Sequence, residues 1–176
     1  NKLIIETRDD HCLNPSRPIE IIINTPTVSE IILEGSGYIN CYGLRTEELT
    51  IELDGSGQVE CYEVEASSVT IDLQGSGMIN SSLSTGNLEA QLEGSGEIRM
   101  NGATVSSDLR ITGSGRIRAD QVESDVCVAY ISGSGQINTL VNNALDVTII
   151  GSGLVYYKGN PTVDSYVSGS GKVIHQ

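Results

Sequence analysis

The chain has 176 residues, a net charge of −13 at pH 7, no Phe and no Trp. Its length fits one domain, and the missing large aromatics exclude a core built on them, so Ile, Val and Leu must supply the packing. Because nucleic acids and anionic membranes are bound mainly through Lys and Arg, the charge argues against both as partners.

The sequence predicts a single domain over residues 1–176, with N-terminal entry strands in residues 1–30 and repeated coils over 31–176. The tripeptide Gly-Ser-Gly occurs eight times in that second part, at intervals of 18 to 20 residues, beginning at Gly35, Gly55, Gly75, Gly94, Gly113, Gly133, Gly151 and Gly169. A fixed period of this length is typical of a solenoid, in which each repeat buries its apolar face against its neighbours.

Two aliphatic columns flank the tripeptide. Two residues before it stand Leu33, Leu53, Leu73, Leu92, Ile111, Ile131, Ile149 and Val167. Two residues after it stand Ile39, Val59, Ile79, Ile98, Ile117, Ile137, Val155 and Val173. The residues beside these positions are mostly polar, which is the alternation of strands with one buried face.

A third apolar column completes each coil and consists of Leu44, Val64, Leu83, Ala103 and Val122. We therefore predict an all-β, single-stranded parallel β-helix of about eight coils of 18–20 residues, each with about three faces. One glycine signal per coil and the variable spacing favour a right-handed winding. The glycines are expected to form a corner that needs positive φ or close backbone approach, with the serines as a ladder along it.

The repeats carry a recognisable signature, Gly-Ser-Gly-x-Ile-Asn, at 35–40, 75–80 and 133–138. Over residues 18 to 176 the chain resembles the head GIN domain family of auto-transporter adhesins, common in Bacteroidetes. The resemblance implies a right-handed β-helix on an exported protein of the cell envelope or surface. It also implies an adhesive function with no catalytic residues, and an extracytoplasmic location.

Outward tyrosines are the predicted ligand-binding residues. Tyr42 and Tyr62 occupy the same position on successive coils, and Tyr130 and Tyr166 occupy another column two coils apart. Exposed tyrosine pairs stack against sugar rings or anchor protein partners. A glycan or a surface protein is therefore the expected ligand, while cross-strand packing of the rings is the structural alternative.

Stacked acids suggest a second class of function. Glu34 and Asp54 share one outward column, and Glu52 and Asp72 share another. Calcium would offset the repulsion between such carboxylates, as in a calcium-dependent polysaccharide lyase or pectinase-like enzyme, so Ca²⁺ is the one cofactor considered. The lyase needs a nearby Arg as base, and Arg99, Arg116 and Arg118 are predicted beyond the corner, with Arg116 over Glu97. A purely structural spacer is the third alternative.

Cysteine and histidine give no catalytic or metal signal. Cys41 and Cys61 share an inward position one coil apart, where parallel strands give poor disulfide torsions, so free buried thiols are favoured over a bridge. Cys12 and Cys127 have no evident partner, and His11 and His175 are too distant to activate a corner serine. Because uncapped solenoid ends expose strand edges, a homo-oligomer through the ends or faces is also expected.

Overall fold

The structure, a computed structural model, describes residues 3–6 and 19–176. These residues form eleven β-strands and contain no helix. The strands are β1 (Glu30–Gly35), β2 (Tyr38–Tyr42), β3 (Arg45–Gly55), β4 (Gln58–Gly75), β5 (Met78–Gly94), β6 (Glu97–Gly113), β7 (Arg116–Gly133), β8 (Gln136–Gly151), β9 (Leu154–Lys158), β10 (Thr162–Gly169) and β11 (Lys172–His175).

Every strand pairs in parallel with the strand of the next coil. The order is β1-β3-β4-β5-β6-β7-β8-β9-β11, with β2 beside β4 and β10 beside β8. The glycines stay in register along the whole sheet: Gly35 pairs with Gly55, and Gly151 pairs with Gly169. The chain is therefore a parallel β-solenoid of about eight turns, as the repeat predicts, and its right-handed winding stays a prediction.

The two aliphatic columns beside the corner form the centre of one continuous core. From Leu53 to Ile149 the first column is buried, and from Val59 to Val155 the second is fully enclosed. The end members, such as Leu33 and Val167, are partly exposed because each has a coil on one side only. Each interior coil thus depends on both neighbours to enclose its side chains.

The Gly-Ser-Gly corner has the geometry that its composition requires. The first glycine of each tripeptide has positive φ, for example +123° at Gly113, which side-chain-bearing residues rarely adopt. The Ser114 N–H donates to the Gly94 carbonyl oxygen of the preceding coil at 2.9 Å, and the other interior coils repeat this bond. All eight corner serines face solvent, so they form an exposed ladder along the edge.

The third apolar column differs from the prediction at one coil. Ala103 is exposed, and Gly102 takes the place between Leu83 and Val122. Gly102 has a φ of +127°, and a Cβ there would collide with the Leu83 carbonyl oxygen. The prediction of Ala103 as an inward residue is wrong because a register shift between Arg99 and Asn101 displaces the turn by one residue.

The predicted entry segment also differs. Residues 3–6 and 19–29 contain no strand, and pairing begins at Glu30. Most of their aliphatic side chains are exposed, including Leu3, Ile5, Ile19 and Ile22. Residues 3–6 and 19–29 therefore do not form the entry strands predicted for them. The remainder of the predicted segment lies outside the described residues.

Candidate functional site

The corner separates two outward faces of different character. We call the outward residues of the strands after each tripeptide the post-corner face; it runs from Tyr38–Tyr42 through 58–62, 78–82, 97–101, 116–120, 136–140 and Leu154–Lys158 to Lys172–His175. The outward residues of the strands before each tripeptide form the pre-corner face, which carries the described acids Glu30, Glu34, Glu48, Glu52, Asp54, Asp72, Glu89, Glu93, Asp108, Asp146 and Asp164.

The structure brings Tyr42 and Tyr62 together on the post-corner face. They are paired in register, with ring centroids 5.4 Å apart and planes inclined by 41°. Tyr42 is 65% exposed, and the neighbouring Tyr38 is 58% exposed. Sequence reasoning missed Tyr38, although its place four residues before Tyr42 on the same strand puts it on the same face. We call Tyr38, Tyr42, Tyr62 and Glu60 the tyrosine cluster.

Glu60 connects the ring cluster to a polar network. Its Oε2 accepts a hydrogen bond from the Tyr38 hydroxyl at 2.8 Å, and its Oε1 accepts from Gln58 Nε2 at 2.8 Å and Asn80 Nδ2 at 3.3 Å. The bond from Tyr38 lowers the pKa of Glu60 and raises the pKa of Tyr38. Burial, followed by the charge of Glu60, raises the pKa of Tyr62. The carboxylate is therefore an acceptor and both hydroxyls stay protonated at neutral pH.

The backbone turns sharply just after the two tyrosines. Gly43 has a φ of +67°, and Glu63, at the same place in the next coil, has a φ of +57° that is uncommon for a residue with a side chain. The Gly43 N–H donates to the Tyr62 carbonyl oxygen at 3.0 Å, and the Glu63 N–H donates to Ser82 Oγ at 2.9 Å. These bonds hold the backbone of the turn, which fixes where the two tyrosines leave their strands at the edge of the post-corner face.

The second tyrosine pair is not brought into contact. Tyr130 and Tyr166 lie in one column of the pre-corner face, as predicted, but Thr148 pairs with both and separates them by a full coil. Two ladder steps correspond to about 10 Å, which is too far for the rings to stack on each other. Tyr166 is 64% exposed, so it offers a single ring rather than a paired surface.

The predicted acidic columns form as pairs. Glu34 lies beside Asp54, and Glu52 beside Asp72, on adjacent coils. Burial, reinforced by the negative charges of Glu52, Glu89 and Glu93, raises the pKa of Asp72. Within the described part of the chain, no group of three or more acids, Cys or His is placed to hold a metal ion. Calcium at these carboxylates stays a prediction.

Arg110 is an arginine of the pre-corner face that sequence reasoning overlooked. It lies in the column of Asp72, with Gln91 between them. Its Nη2 donates to Asp108 Oδ2 at 2.6 Å, and this hydrogen bond raises the pKa of the guanidinium further. A raised pKa opposes the loss of a proton that a lyase base requires, so this pairing does not favour an elimination mechanism.

Removing the Asp72 charge is expected to stabilise the protein. The folded state raises the pKa of Asp72, so the ionised carboxylate destabilises the folded protein at neutral pH. This destabilisation decreases as pH falls through the raised pKa, and it disappears below the ordinary value of about 3.9. We expect Asp72→Asn to gain roughly 0.2–1 kcal/mol at pH 7 and nothing at pH 3.5, measured by urea unfolding. Asp54→Asn removes an exposed acid that lies between Glu34 and the neutral Gln74, and its gain should be smaller because solvent screens this charge more strongly. An equal gain of Asp72→Asn at both pH values would contradict the repulsion.

The cysteines and histidine occupy structural places. Cys41 and Cys61 pair in register and are free thiols, and Cys127 is a buried free thiol. Burial raises the pKa of Cys127, which makes it unreactive at neutral pH. The His175 ring stacks on Tyr157 with centroids 4.8 Å apart, which fixes it at the last coil. Cys12 and His11 lie outside the described residues.

The parallel β-solenoid, with exposed tyrosines on one of its faces, places the chain in the class of solenoid repeat proteins. The chain belongs to the family described as "Putative auto-transporter adhesin, head GIN domain", whose model matches residues 1–161. The family resemblance of the repeats is thereby confirmed. No helix among the described residues is long and apolar enough to cross a membrane.

Solved structures from Parabacteroides share the fold. A putative adhesin from Parabacteroides merdae is 28% identical with a TM-score of 0.81, and covers 84% of this chain and 63% of its own. A putative lipid binding protein from Parabacteroides distasonis is 29% identical with a TM-score of 0.80, and the match covers 85% of this chain and 62% of that protein. A putative adhesin from the same species has a TM-score of 0.81, and the match covers 85% of this chain and 64% of the adhesin. At 21% sequence identity it shows the fold alone. The chain thus spans less than two thirds of these neighbours, and no curated protein matched it in sequence.

Proposed function

We propose that this chain is a non-enzymatic adhesion module of the cell surface or envelope, which binds a glycan or protein ligand through the tyrosine cluster. Membership of an adhesin head family and structural similarity to a solved protein described as a putative adhesin support the adhesive function and the surface location. The observation that carries the site is the exposure of Tyr38 and Tyr42 beside a carboxylate that already fixes one of the hydroxyls.

The cluster has the physical properties of a recognition surface. Large rings supply apolar contact area at a low cost in conformational entropy, while their hydroxyls and the amides of Gln58 and Asn80 supply hydrogen bonds. The strand backbone and the turn at Glu63 fix the positions from which the rings project, and Glu60 holds the Tyr38 hydroxyl, which lowers the entropy lost on binding. Homo-oligomerisation through the solenoid ends would multiply such sites along one surface and raise avidity.

Substitution of the paired rings tests this function. We expect Tyr42→Ala/Tyr62→Ala to weaken binding to the ligand of the wild type by at least about thirtyfold, equivalent to about 2 kcal/mol, because both rings of a central aromatic pair are lost. Ligands are first identified on arrays of glycans and of surface proteins, and affinities are then measured by calorimetry.

Tyr166→Ala is the matched control, since Tyr166 is as exposed as Tyr42 but lies on the pre-corner face. It should retain wild-type affinity to within about twofold, and the double variant should keep its far-UV circular dichroism. Equal losses in the two proteins would contradict a site at the tyrosine cluster. Turnover of a polysaccharide, with new unsaturated or reducing ends, would contradict the non-enzymatic assignment.

A further inference from the structure

Three arginines of the post-corner face surround one glutamate. Arg99 Nη2 lies 2.8 Å from Glu97 Oε2, Arg118 Nε lies 2.7 Å from Glu97 Oε1, and Arg116 Nη1 lies 4.0 Å from the same oxygen. We call these four residues the arginine cluster. Burial opposes ionisation of Glu97, but the arginines outweigh it and lower the pKa of Glu97. Even with this carboxylate ionised, three positive charges face one negative charge.

The cluster differs from the other ion pairs of the described residues, each of which matches one cation with one carboxylate: Arg45–Glu65, Arg110–Asp108 and Lys158–Asp120. Arg116 Nε is shielded from solvent and has no hydrogen-bond partner among the described residues. The three guanidinium side chains remain between 43% and 47% exposed. The exposed parts of the three guanidinium groups therefore carry unbalanced positive charge that an anion can reach.

A groove joins Tyr38 of the tyrosine cluster to Glu97 of the arginine cluster, while the paired rings of Tyr42 and Tyr62 and the three arginines lie outside its lining on the same face. It has a volume of about 490 Å³ and follows the Gly-Ser-Gly corner past Tyr38, Gln58, Met78 and Glu97. The neighbouring column passes from Glu60 through Asn80 to Arg99 and Arg118, one residue per coil. Glu60 and Arg99 are thus two ladder steps, or about 10 Å, apart on one continuous strand face.

We propose that the post-corner face binds an anionic polysaccharide that runs along this groove and the solenoid axis, with sugar rings on the tyrosine cluster and a carboxylate or sulfate group on the arginine cluster. The inference rests on the proposed function and names the chemical class of its ligand. Guanidinium groups bind both kinds of acidic group through charge-assisted hydrogen bonds. Amides of Gln58 and Asn80 lie between the two clusters, where they can contact sugar hydroxyls.

The polar floor favours a glycan over an acidic peptide. Glycines and outward serines form most of the groove, with Met78 the main apolar side chain in it, so apolar peptide side chains find few pockets. The net charge of −13 does not prevent anion binding here. Most acids lie off the post-corner face, and physiological salt screens exposed charges beyond about 8 Å, so the nearby arginines dominate.

The test compares charged probes with neutral probes of the same backbone. Calorimetry measures binding of oligogalacturonate against its methyl ester, and of dextran sulfate against dextran, which separates the carboxylate from the sulfate. Poly-glutamate is the acidic peptide probe. The proteins are the wild type, Arg99→Gln/Arg118→Gln, Glu97→Gln, Tyr42→Ala/Tyr62→Ala and the control Arg110→Gln, an arginine of equal exposure on the pre-corner face.

We expect the wild type to bind at least one charged glycan about tenfold more tightly than its neutral counterpart, and the double arginine variant to lose that preference. Arg110→Gln should retain it within about twofold, and Glu97→Gln should increase affinity for the charged glycan, which a merely structural role would not produce. The tyrosine variant should weaken binding of charged and neutral probes alike.

Other outcomes overturn the inference. Tyrosine-dependent binding with no preference for charge would leave the proposed function standing and refute only the anionic ligand. Tight binding of poly-glutamate alone would assign the arginines to a protein partner. Absence of binding to every probe would refute the anionic polysaccharide, whereas the proposed function would then be judged by the array ligands and their dependence on Tyr42 and Tyr62.

Discussion

Gly113→Ala is expected to destabilise the solenoid by about 3–5 kcal/mol, whereas the same substitution at Gly35 should cost only about 1–2 kcal/mol. Both glycines begin a Gly-Ser-Gly corner and have positive φ, +123° and +101°. Strain from placing a side chain in that conformation is of order 1–3 kcal/mol at either site. The difference comes from the coil on the N-terminal side.

A Cβ at Gly113 would lie 2.5 Å from the Gly94 carbonyl oxygen, whereas nothing lies within 4 Å of one at Gly35. That carbonyl accepts the Ser114 N–H at 2.9 Å, so relieving the contact separates two coils and lengthens the corner bond. Overpacking of this kind adds roughly 1–3 kcal/mol. The larger loss therefore requires both strain and a neighbouring coil.

Urea unfolding followed by far-UV circular dichroism measures both variants against the wild type. Equal losses at the two sites would show that backbone conformation alone explains the glycines, and that the close approach of successive corners is unimportant. If neither variant lost stability, the positive-φ geometry of the corner itself would be contradicted.

The corner glycines also explain how much of the fold follows from the sequence. These glycines fix the register at every coil. The residues two places before and two places after each tripeptide, such as Leu92 and Ile98, could therefore be placed in the core by counting alone. The same counting placed Tyr42 beside Tyr62 and Glu34 beside Asp54, and the pairing confirms both. Near the corner, position in the repeat determines position in space.

Farther from the corner, counting becomes unreliable because the turns between faces differ in length. Register shifts between Cys61 and Val64, and between Arg99 and Asn101, moved Gly102 into the place predicted for Ala103. The glycine in the sequence was a usable signal, since only a residue without Cβ fits beneath the Leu83 carbonyl.

The arginine cluster was predicted only in part, for a different reason. Register placed Arg116 over Glu97, which the pairing confirms. It gave no indication that Arg99 and Arg118, from the adjacent column, would make the shorter contacts. Long side chains reach beyond the in-register partner, either two residues along the same strand, as Arg99 does, or to a diagonal neighbour on the next strand, as Arg118 does. Charge clusters therefore depend on side-chain conformations that a repeat pattern does not specify. The Glu60 network around Tyr38 was missed for the same reason.

Ile149→Ala should cost about 3–4 kcal/mol, while Ile150→Ala, the adjacent substitution, should cost less than about 1 kcal/mol. Ile149 is fully buried between Ile131 and Val167 of the flanking coils, and Ile150 is 45% exposed. Truncating a buried Ile removes apolar contacts and leaves a cavity, and the typical cost is 2–5 kcal/mol. The two variants remove the same atoms from the same strand, so their difference isolates burial.

Because Ile149 lies near one end of the solenoid, we expect its truncation to lower local stability more in the neighbouring coils than in distant ones. Each coil is stabilised by its own residues and by the interfaces with its neighbours, so a cavity at Ile149 weakens the contacts with Ile131 and Val167 directly. We expect amide hydrogen exchange in Ile149→Ala to accelerate most in β8 and β10 and least near Ile51. Uniform acceleration from Ile51 to Val167 would instead show that the coils unfold as one cooperative unit, and the loss in urea would then equal the change in global stability.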